Sequence, residues 1–404
     1  MCNLLYTPSP VVHSSVNFQH FDHLYKEIVL NGKEVAIIHI YSEYPNYEFE
    51  IEPHEGFTCV DDVARALVML SKYLEQHGDD AKVLKQMKML TEFVLQMQNE
   101  NGYFNNFIWN DLSINKTYKT SVAELNWWSF RALWGLESVY PFLKSDKDLT
   151  DRIAVASERL MANIKRDIPT NNSVVEIVET IDVPSWLPQK YASDQSALLI
   201  IGLLKYYERT SDDAIKKLIG SLADGMMLMQ KGDADRYPYG CFLSWQNLWH
   251  AWGNSQAYAL LKAGQKLNNQ EYIASAMLEI DHFYPYMLKN GFAEAFWTEK
   301  KEDDTYQEIK RNDYPQIVYG LRPMIWATSE AYHLTKDEKY LKLSTELASW
   351  LSGNNDANTK MYYPETGICF DGIKSAQQVS KNSGAESTIE SLLTLLALEK
   401  LNEE

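Results

Sequence analysis

Acidic side chains with aromatic neighbours are the residues of this sequence best suited to chemistry. Asp61 and Asp62 are adjacent in CVDDVARALVMLSKYL (59–74), and Arg65 follows three residues after the second. Asp194 follows Ser193 at the head of SDQSALLIIGLLKYY (193–207). Glu124 and Glu386 each stand three residues after a serine, Ser121 and Ser383. Trp109, Trp127, Trp249, Trp297, Tyr319, His250, Arg322 and Asp371 lie in or beside comparable segments. A sugar offers C–H faces that stack on flat rings, and hydroxyls that pair with carboxylates, amides and guanidinium groups. Cleaving a glycosidic bond adds a proton donor and a second carboxylate. Asp62, Asp61, Asp194, Glu124 and Glu386 are therefore the candidate catalytic acids. Arg65, the four tryptophans, Tyr319, His250, Arg322 and Asp371 are candidate substrate contacts.

Each acid also has a structural alternative. Ser121-x-x-Glu124 and Ser383-x-x-Glu386 match capping boxes, with serine at the N-cap and glutamate at N3. Asp61 suits the positive end of a helix dipole. Asp62 lies about 100° further round the helix, so one of the two aspartates faces inward or sideways. Arg65 shares a helical face with Asp62, and pairing would keep Asp62 ionised, as a base or nucleophile. The proton donor would then be another rim carboxylate, its pKa raised by burial. Pro323 favours a helix start, which would put Arg322 at a rim. Trp128 and Trp134, at helical spacing, read as core.

The rest of the composition narrows the field. The 404 residues are 45% hydrophobic and 23% charged, an ordinary globular mix. A net charge of -17 argues against nucleic acid, which needs a basic face, and favours neutral or cationic ligands. Cys2, Cys59, Cys241 and Cys369 lie far apart, with neither disulfide-framework nor zinc spacing. The nine histidines show no metal-ligand spacing. HExxH, Walker A, GxGxxG and GxSxG patterns are missing, so neither metal nor cofactor is expected. MCNLLYTPSPVVHSS (1–15) does not read as a signal peptide, and no apolar run reaches the roughly 18 residues of a membrane span. The expectation is a cytoplasmic protein with a small carbohydrate or oligosaccharide as its partner.

The elements that must position these residues repeat along the chain. Six segments are apolar nearly all round: 59–74, 121–140, 193–207, 248–264, 320–334 and 383–401. Five amphipathic segments lie between them, at 81–98, 148–164, 212–230, 269–288 and 337–353. NFQHFDHLYKEIVL (17–30) is read as a sixth amphipathic helix, and VAIIHIY (35–41) as a short strand. Twelve helices in six hairpins close into a ring, with the all-round apolar helices inside. The long, Gly- and aromatic-bearing loops at 99–111, 236–245, 290–297 and 354–372 then gather where the inner helices begin, and that rim is where a site belongs.

Helical hairpins of this size, with aromatic-glycine loops on one rim, resemble the (α/α)6 six-hairpin glycosidase superfamily over about the whole chain. The resemblance implies an all-α (α/α)6 barrel, read here as a single domain over residues 1–404. The adjacent Asp61 and Asp62 on an inner helix are similar to the catalytic pair of family 76 endo-α-mannanases. The resulting expectation is a glycoside hydrolase acting on an oligosaccharide or small glycoside through carboxylate acid/base catalysis. Two alternatives stay open. One is a sugar epimerase or isomerase, with His250 or His54 as base; the other is a non-catalytic sugar-binding toroid.

Overall fold

The computed structural model describes residues 16–169 and 173–403, so Cys2 and the segment 1–15 lie outside it. The helices in chain order are α1 (Gln19–Leu24), α2 (Val60–His77), α3 (Ala81–Gln96) and α4 (Trp127–Val139). α5 (Lys147–Asp167), α6 (Ser193–Thr210), α7 (Asp213–Leu228) and α8 (Gln256–Leu267) follow. α9 (Gln270–Asn290), α10 (Val318–Thr335), α11 (Glu338–Ala348) and α12 (Ala385–Glu403) complete the set. The even-numbered helices from α2 to α12 pack in sequence, and α12 closes back on α2. The odd-numbered helices from α3 to α11 flank them as an outer layer. This is the expected (α/α)6 toroid, and its sheets are small pieces of two or three strands.

Local chemistry explains the joints. Each outer helix from α3 to α11 opens on an acid or amide (Asp80, Asp146, Asp212, Asn269 and Asp337) that accepts a first-turn backbone N–H. The inner helices are buried on most faces, so they must approach closely. Gly135 on α4 marks one such approach, because a Cβ there would lie 3.0 Å from the Ala64 carbonyl oxygen on α2.

The sixth outer position departs from expectation. Residues 17–30 form only the short α1, followed by strand Tyr25–Leu30, which pairs antiparallel with Lys33–Ile38. The physical reason is Asn31-Gly32 between two β-branched runs. Both residues adopt positive φ, 50° and 77°, as a tight hairpin turn requires. The second strand packs on α3, and α1 packs on α12, so the place in the outer layer is still filled.

Three inner helices start elsewhere than expected. α4 begins at Trp127, capped by Asn126, not at Ser121. α8 begins at Gln256, leaving His250 on the short strand Leu248–His250. α10 begins at Val318, so Pro323 lies inside it and Arg322 sits a turn below the rim. Among the described residues no helix is long and apolar enough to cross a membrane. No group of three or more His, Cys, Asp or Glu could hold a metal ion there.

Candidate active site

A cleft of about 480 Å³ opens on the rim where the inner helices begin. α2 contributes Asp61 and Arg65, α4 contributes Trp127 and Arg131, and α6 contributes Asp194 and Gln195. The loops before α6 and α8 add Gln189, Trp245, His250 and Trp252, and α10 adds Tyr319. Trp245 and Trp252 keep 38% and 39% of their surface exposed, leaving flat faces open to a ligand. Gly253 (φ 75°) lets this loop lie against the opposite wall, since a Cβ there would meet the Trp127 ring at 2.8 Å. A wider groove of about 710 Å³ runs outside, between α9 and α11. Its charges form surface pairs such as Lys339–Asp281 (3.0 Å), and no acid–base set converges there.

One wall of the cleft is an ion network built from α2, α4, α10 and α12. Arg65 Nη2 lies 3.1 Å from Asp61, and its Nη1 lies 2.8 Å from both Asp62 and Glu386. Its Nε is 3.3 Å from Glu390, and the guanidinium lies over the Tyr319 ring at 4.6 Å. Arg131 Nε sits 2.5 Å from the other oxygen of Asp61, and its Nη2 donates to the Tyr319 hydroxyl. Arg322 holds the wholly buried Glu390 at 2.6 Å. Four carboxylates thus share three guanidinium groups, so one acid is underprovided. Glu386 is that acid: burial, reinforced by Asp62, Glu390 and Asp61, pushes its pKa up to about 7 against the pull of Arg65. Its side chain remains 41% open to solvent.

The other wall carries Asp194 and His250. Asp194 Oδ1 accepts the Gln195 N–H at 2.6 Å, and its Oδ2 lies 2.9 Å from His250 Nε2. His250 Nδ1, Gln195 Oε1 and Arg131 Nη1 are buried polar atoms with no hydrogen-bond partner. All three residues line the cleft. Unsatisfied buried polar groups are few in native proteins and call for an explanation; a polyhydroxylated ligand would supply the partners.

The cleft unites Asp61, Asp194, Arg65, Trp127, His250 and Tyr319 from the expected set, with Glu386 one contact behind Arg65. The remaining candidates go elsewhere. Asp62 is almost wholly buried beneath the cleft, between Arg65 and the Cys59 thiol, which donates to its Oδ2 at 3.2 Å. Burial raises its pKa, with Arg65 opposing, so the expectation that Arg65 keeps it a firmly ionised, cleft-facing base is corrected. Glu124 is exposed and accepts from the Asn126 amide at 3.1 Å. Arg322 is buried under the floor.

Asp371 accepts the Gly384 N–H (2.9 Å) and the Ser387 hydroxyl (2.8 Å). It therefore serves the start of α12, a task expected of Ser383 and Glu386. Trp249 is 1% exposed and stacks on Phe296. Trp297 carries Lys310 over its ring at 4.1 Å, and neither it nor Trp109 lines the cleft. His54 is exposed and stacks on Tyr118, away from the cleft.

Arg131 was not foreseen. Its signal was the four-residue spacing from Trp127, which puts both on one helix face. Trp252 and Gln195 lie at the starts of segments expected to face the rim, and both line the cleft.

No protein-family model and no curated protein matches the chain. Solved structures do match. A cellobiose 2-epimerase from Bacillus thermoamylovorans is 13% identical, with a TM-score of 0.62, covering 90% of this chain and 92% of its own. A D-mannose isomerase is 12% identical, with a TM-score of 0.62 and the same coverage. A family 76 glycoside hydrolase from a bovine Bacteroides thetaiotaomicron strain is 12% identical, with a TM-score of 0.59, covering 93% of this chain and 75% of its own. At such identities the likeness establishes the fold alone, an (α/α)6 toroid. Hydrolases and epimerases or isomerases stand side by side among the matches, so fold alone does not choose an activity.

Proposed function

We propose that the rim cleft is the active site of a sugar-processing enzyme, and that the enzyme is a glycoside hydrolase acting on an oligosaccharide or small glycoside. The observation that carries this reading is the carboxylate–imidazole pair Asp194–His250 lining an aromatic-walled cleft, with a second acid, Glu386, 2.8 Å behind the lining Arg65 and pushed up to about 7 by burial. A glycosidase needs such a division, one carboxyl protonated to donate and another group ready to accept. Asp61 has one oxygen on each of two arginines and is held in place by them. It serves as a fixed negative charge beside the positive charge that develops on the sugar ring.

Ring geometry sets the room between the two groups. α12 and α6 stand opposite one another in a ring of six. Neighbouring helices pack about 8–10 Å apart, so opposite axes lie about 16–20 Å apart. Side-chain shells reach about 5–6 Å from each axis, leaving roughly 4–10 Å between facing groups. That span includes both the roughly 5–5.5 Å of retaining enzymes and the about 6.5–9.5 Å of inverting ones, which hold a water between their carboxyls; a histidine base in place of a second carboxyl nucleophile suits the latter. In this reading Glu386 protonates the leaving oxygen and the Asp194–His250 pair takes a proton from the attacking water.

A second reading is favoured by the Asp194–His250 pair alone: proton abstraction beside the carbonyl of an open-chain sugar, as in an isomerase or epimerase. One experiment separates the two. The protein is incubated with a panel of glycosides and free sugars in deuterium oxide, and the products are analysed by NMR and mass spectrometry. New reducing ends support hydrolysis, and their anomeric configuration distinguishes inversion from retention. Carbon-bound deuterium in a rearranged free sugar, without cleavage, replaces that reading with the second. Binding without either product leaves a sugar-binding toroid.

A further inference from the structure

The lining of the cleft is balanced in charge but changes character with depth. Its two carboxylates, Asp61 and Asp194, are matched by two guanidinium groups, Arg65 and Arg131, so charge gives it little to select by. At the mouth the rings of Trp245 and Trp252 are 38% and 39% exposed. Farther in, Arg131 is 1% and Gln195 8% exposed. Each holds a polar atom with no hydrogen-bond partner, Arg131 Nη1 and Gln195 Oε1. Arg131 is fixed by Asp61 at its Nε (2.5 Å), by the Tyr319 hydroxyl at its Nη2, and by the Tyr319 ring 5.2 Å from its plane. Gln195 is anchored through its backbone N–H, 2.6 Å from Asp194 Oδ1.

We propose that Arg131 and Gln195 determine which sugar the site accepts. They read hydroxyl groups of the terminal ring, which enters the cleft first, while Trp245 and Trp252 hold whatever follows it with little selectivity. The inference rests on the sugar-processing reading of the same site. A guanidinium N–H only donates, and an amide oxygen only accepts. A sugar hydroxyl does either, so one hydroxyl accepting from Arg131 and one donating to Gln195 supply the two partners that the fold leaves missing. If the Gln195 amide turns over, the requirement stands, because a hydroxyl accepts from its NH2 as well. A ring with hydrogen in place of either hydroxyl leaves a buried polar atom unpaired, and sites built in this way reject such analogues strongly. The exposed tryptophans act differently. Their flat apolar faces gain from the C–H surface of any ring and require no particular hydroxyl. Selectivity is therefore steep for the inner ring and shallow for its aglycone.

Binding tests this without any turnover. Dissociation constants are measured by tryptophan fluorescence and calorimetry for glucose, galactose and mannose and for their methyl glycosides in both anomeric forms. The tightest ligand is then compared with its deoxy analogues, one for each hydroxyl in turn. It is also compared with the same ring carrying a p-nitrophenyl group or a second sugar as aglycone. Removing one or two particular hydroxyls should weaken binding about ten- to a hundredfold, and removing the others or exchanging the aglycone should change it much less. Gln195→Met and, separately, Arg131→Lys each withdraw one partner, and circular dichroism checks that each variant is folded. In each variant the penalty for one hydroxyl should disappear while the penalty for the other remains, a coupling that a merely structural role does not produce. The deoxy series on the unaltered protein stands by itself if a variant does not fold. Small, even losses at every hydroxyl, greater sensitivity to the aglycone than to any hydroxyl, or folded variants that keep the whole deoxy pattern overturn the proposal. Failure of every sugar and glycoside to bind overturns the sugar-processing reading itself.

Discussion

Replacing Asp194 with asparagine separates the chemistry of the cleft from its architecture. The carboxylate is 3% exposed. One oxygen accepts the Gln195 N–H at 2.6 Å, and an asparagine carbonyl can keep that bond. The other oxygen faces His250 Nε2 at 2.9 Å, where the substitution removes a negative charge and turns an acceptor into a donor. Hydrogen bonds to charged groups contribute about 1.5–3 kcal/mol, and since one of the two bonds survives, the variant should lose about 1–2 kcal/mol of stability. The chain should therefore fold. Turnover should fall much further. A positioned acid or base contributes about 10²–10⁴ in rate, and without the carboxylate the imidazole has no partner to hold or neutralise it once protonated. Sugar affinity should change less than threefold or so, because a lost transition-state interaction lowers kcat and kcat/KM together. The assay is single-turnover cleavage of the best glycoside, with binding by fluorescence and a thermal midpoint on the same preparation. If Asp194→Asn keeps cleavage within about tenfold of the parent, or loses binding in step with rate, the pair is not the base and the division of roles is wrong.

Asp62→Asn should act chiefly on stability. Its carboxylate is buried against Arg65 and the Cys59 thiol, yet Arg65 keeps three other acids, so the loss should be about 1–3 kcal/mol rather than that of an orphaned buried charge. A urea midpoint that does not move, together with abolished turnover, would contradict this. Stability should also fall as pH rises. Glu279, buried against the Phe242 N–H and the Tyr284 hydroxyl with no cation, is pushed up to about 8, and Glu386 to about 7. A carboxyl raised in the fold is most stabilising below its unfolded pKa near 4.3. That contribution is lost as pH climbs through the folded value. The thermal midpoint should therefore decline from about pH 6.5 to 8; below that range the buried His20 and His39, both held down at about 4, push the other way. Glu279→Gln should flatten the decline, and an equal slope in that variant counts against a neutral Glu279.

Much of the toroid was legible because its signals are long. Eleven helices between α2 and α12 follow from alternating all-round and one-sided burial, and the cap residues Asp80, Asp212, Asn269 and Asp337 mark where the outer helices begin. The first outer position was misread because an apolar period over 17–30 outweighed a two-residue turn, Asn31-Gly32, that decides the local fold. Errors at the site have a common origin in helix starts. Placing α4 at Ser121 brought Glu124 to the rim, placing α10 at Pro323 brought Arg322 there, and placing α8 at Leu248 put His250 on a helix. Each start is fixed by loop packing, such as the Asn126 cap and the Gly253 approach to Trp127, which periodicity does not record. Trp249 illustrates the same limit. It neighbours His250 in sequence, but on a strand successive side chains point to opposite faces, so it enters the core while His250 lines the cleft.

The exchange of roles between Asp61 and Asp62 follows from one cap. Cys59 sits in extended conformation and accepts the Asp62 N–H, while Asp61 is held by Asn106 at 3.0 Å. That fixes the first turn so that the Asp62 carboxylate returns to the thiol and points inward, leaving Asp61 to face the opening. Arg65, four residues from one and three from the other, then reaches both and still contacts α12. An arginine shared among four acids cannot neutralise all of them. Glu386 has only a share of Arg65, and burial, reinforced by the charges of Asp62, Glu390 and Asp61, pushes its pKa up to about 7. In this arrangement the aspartate pair adds to what burial does to the acid on the neighbouring helix, and the buried network and the proposed proton donor are one device.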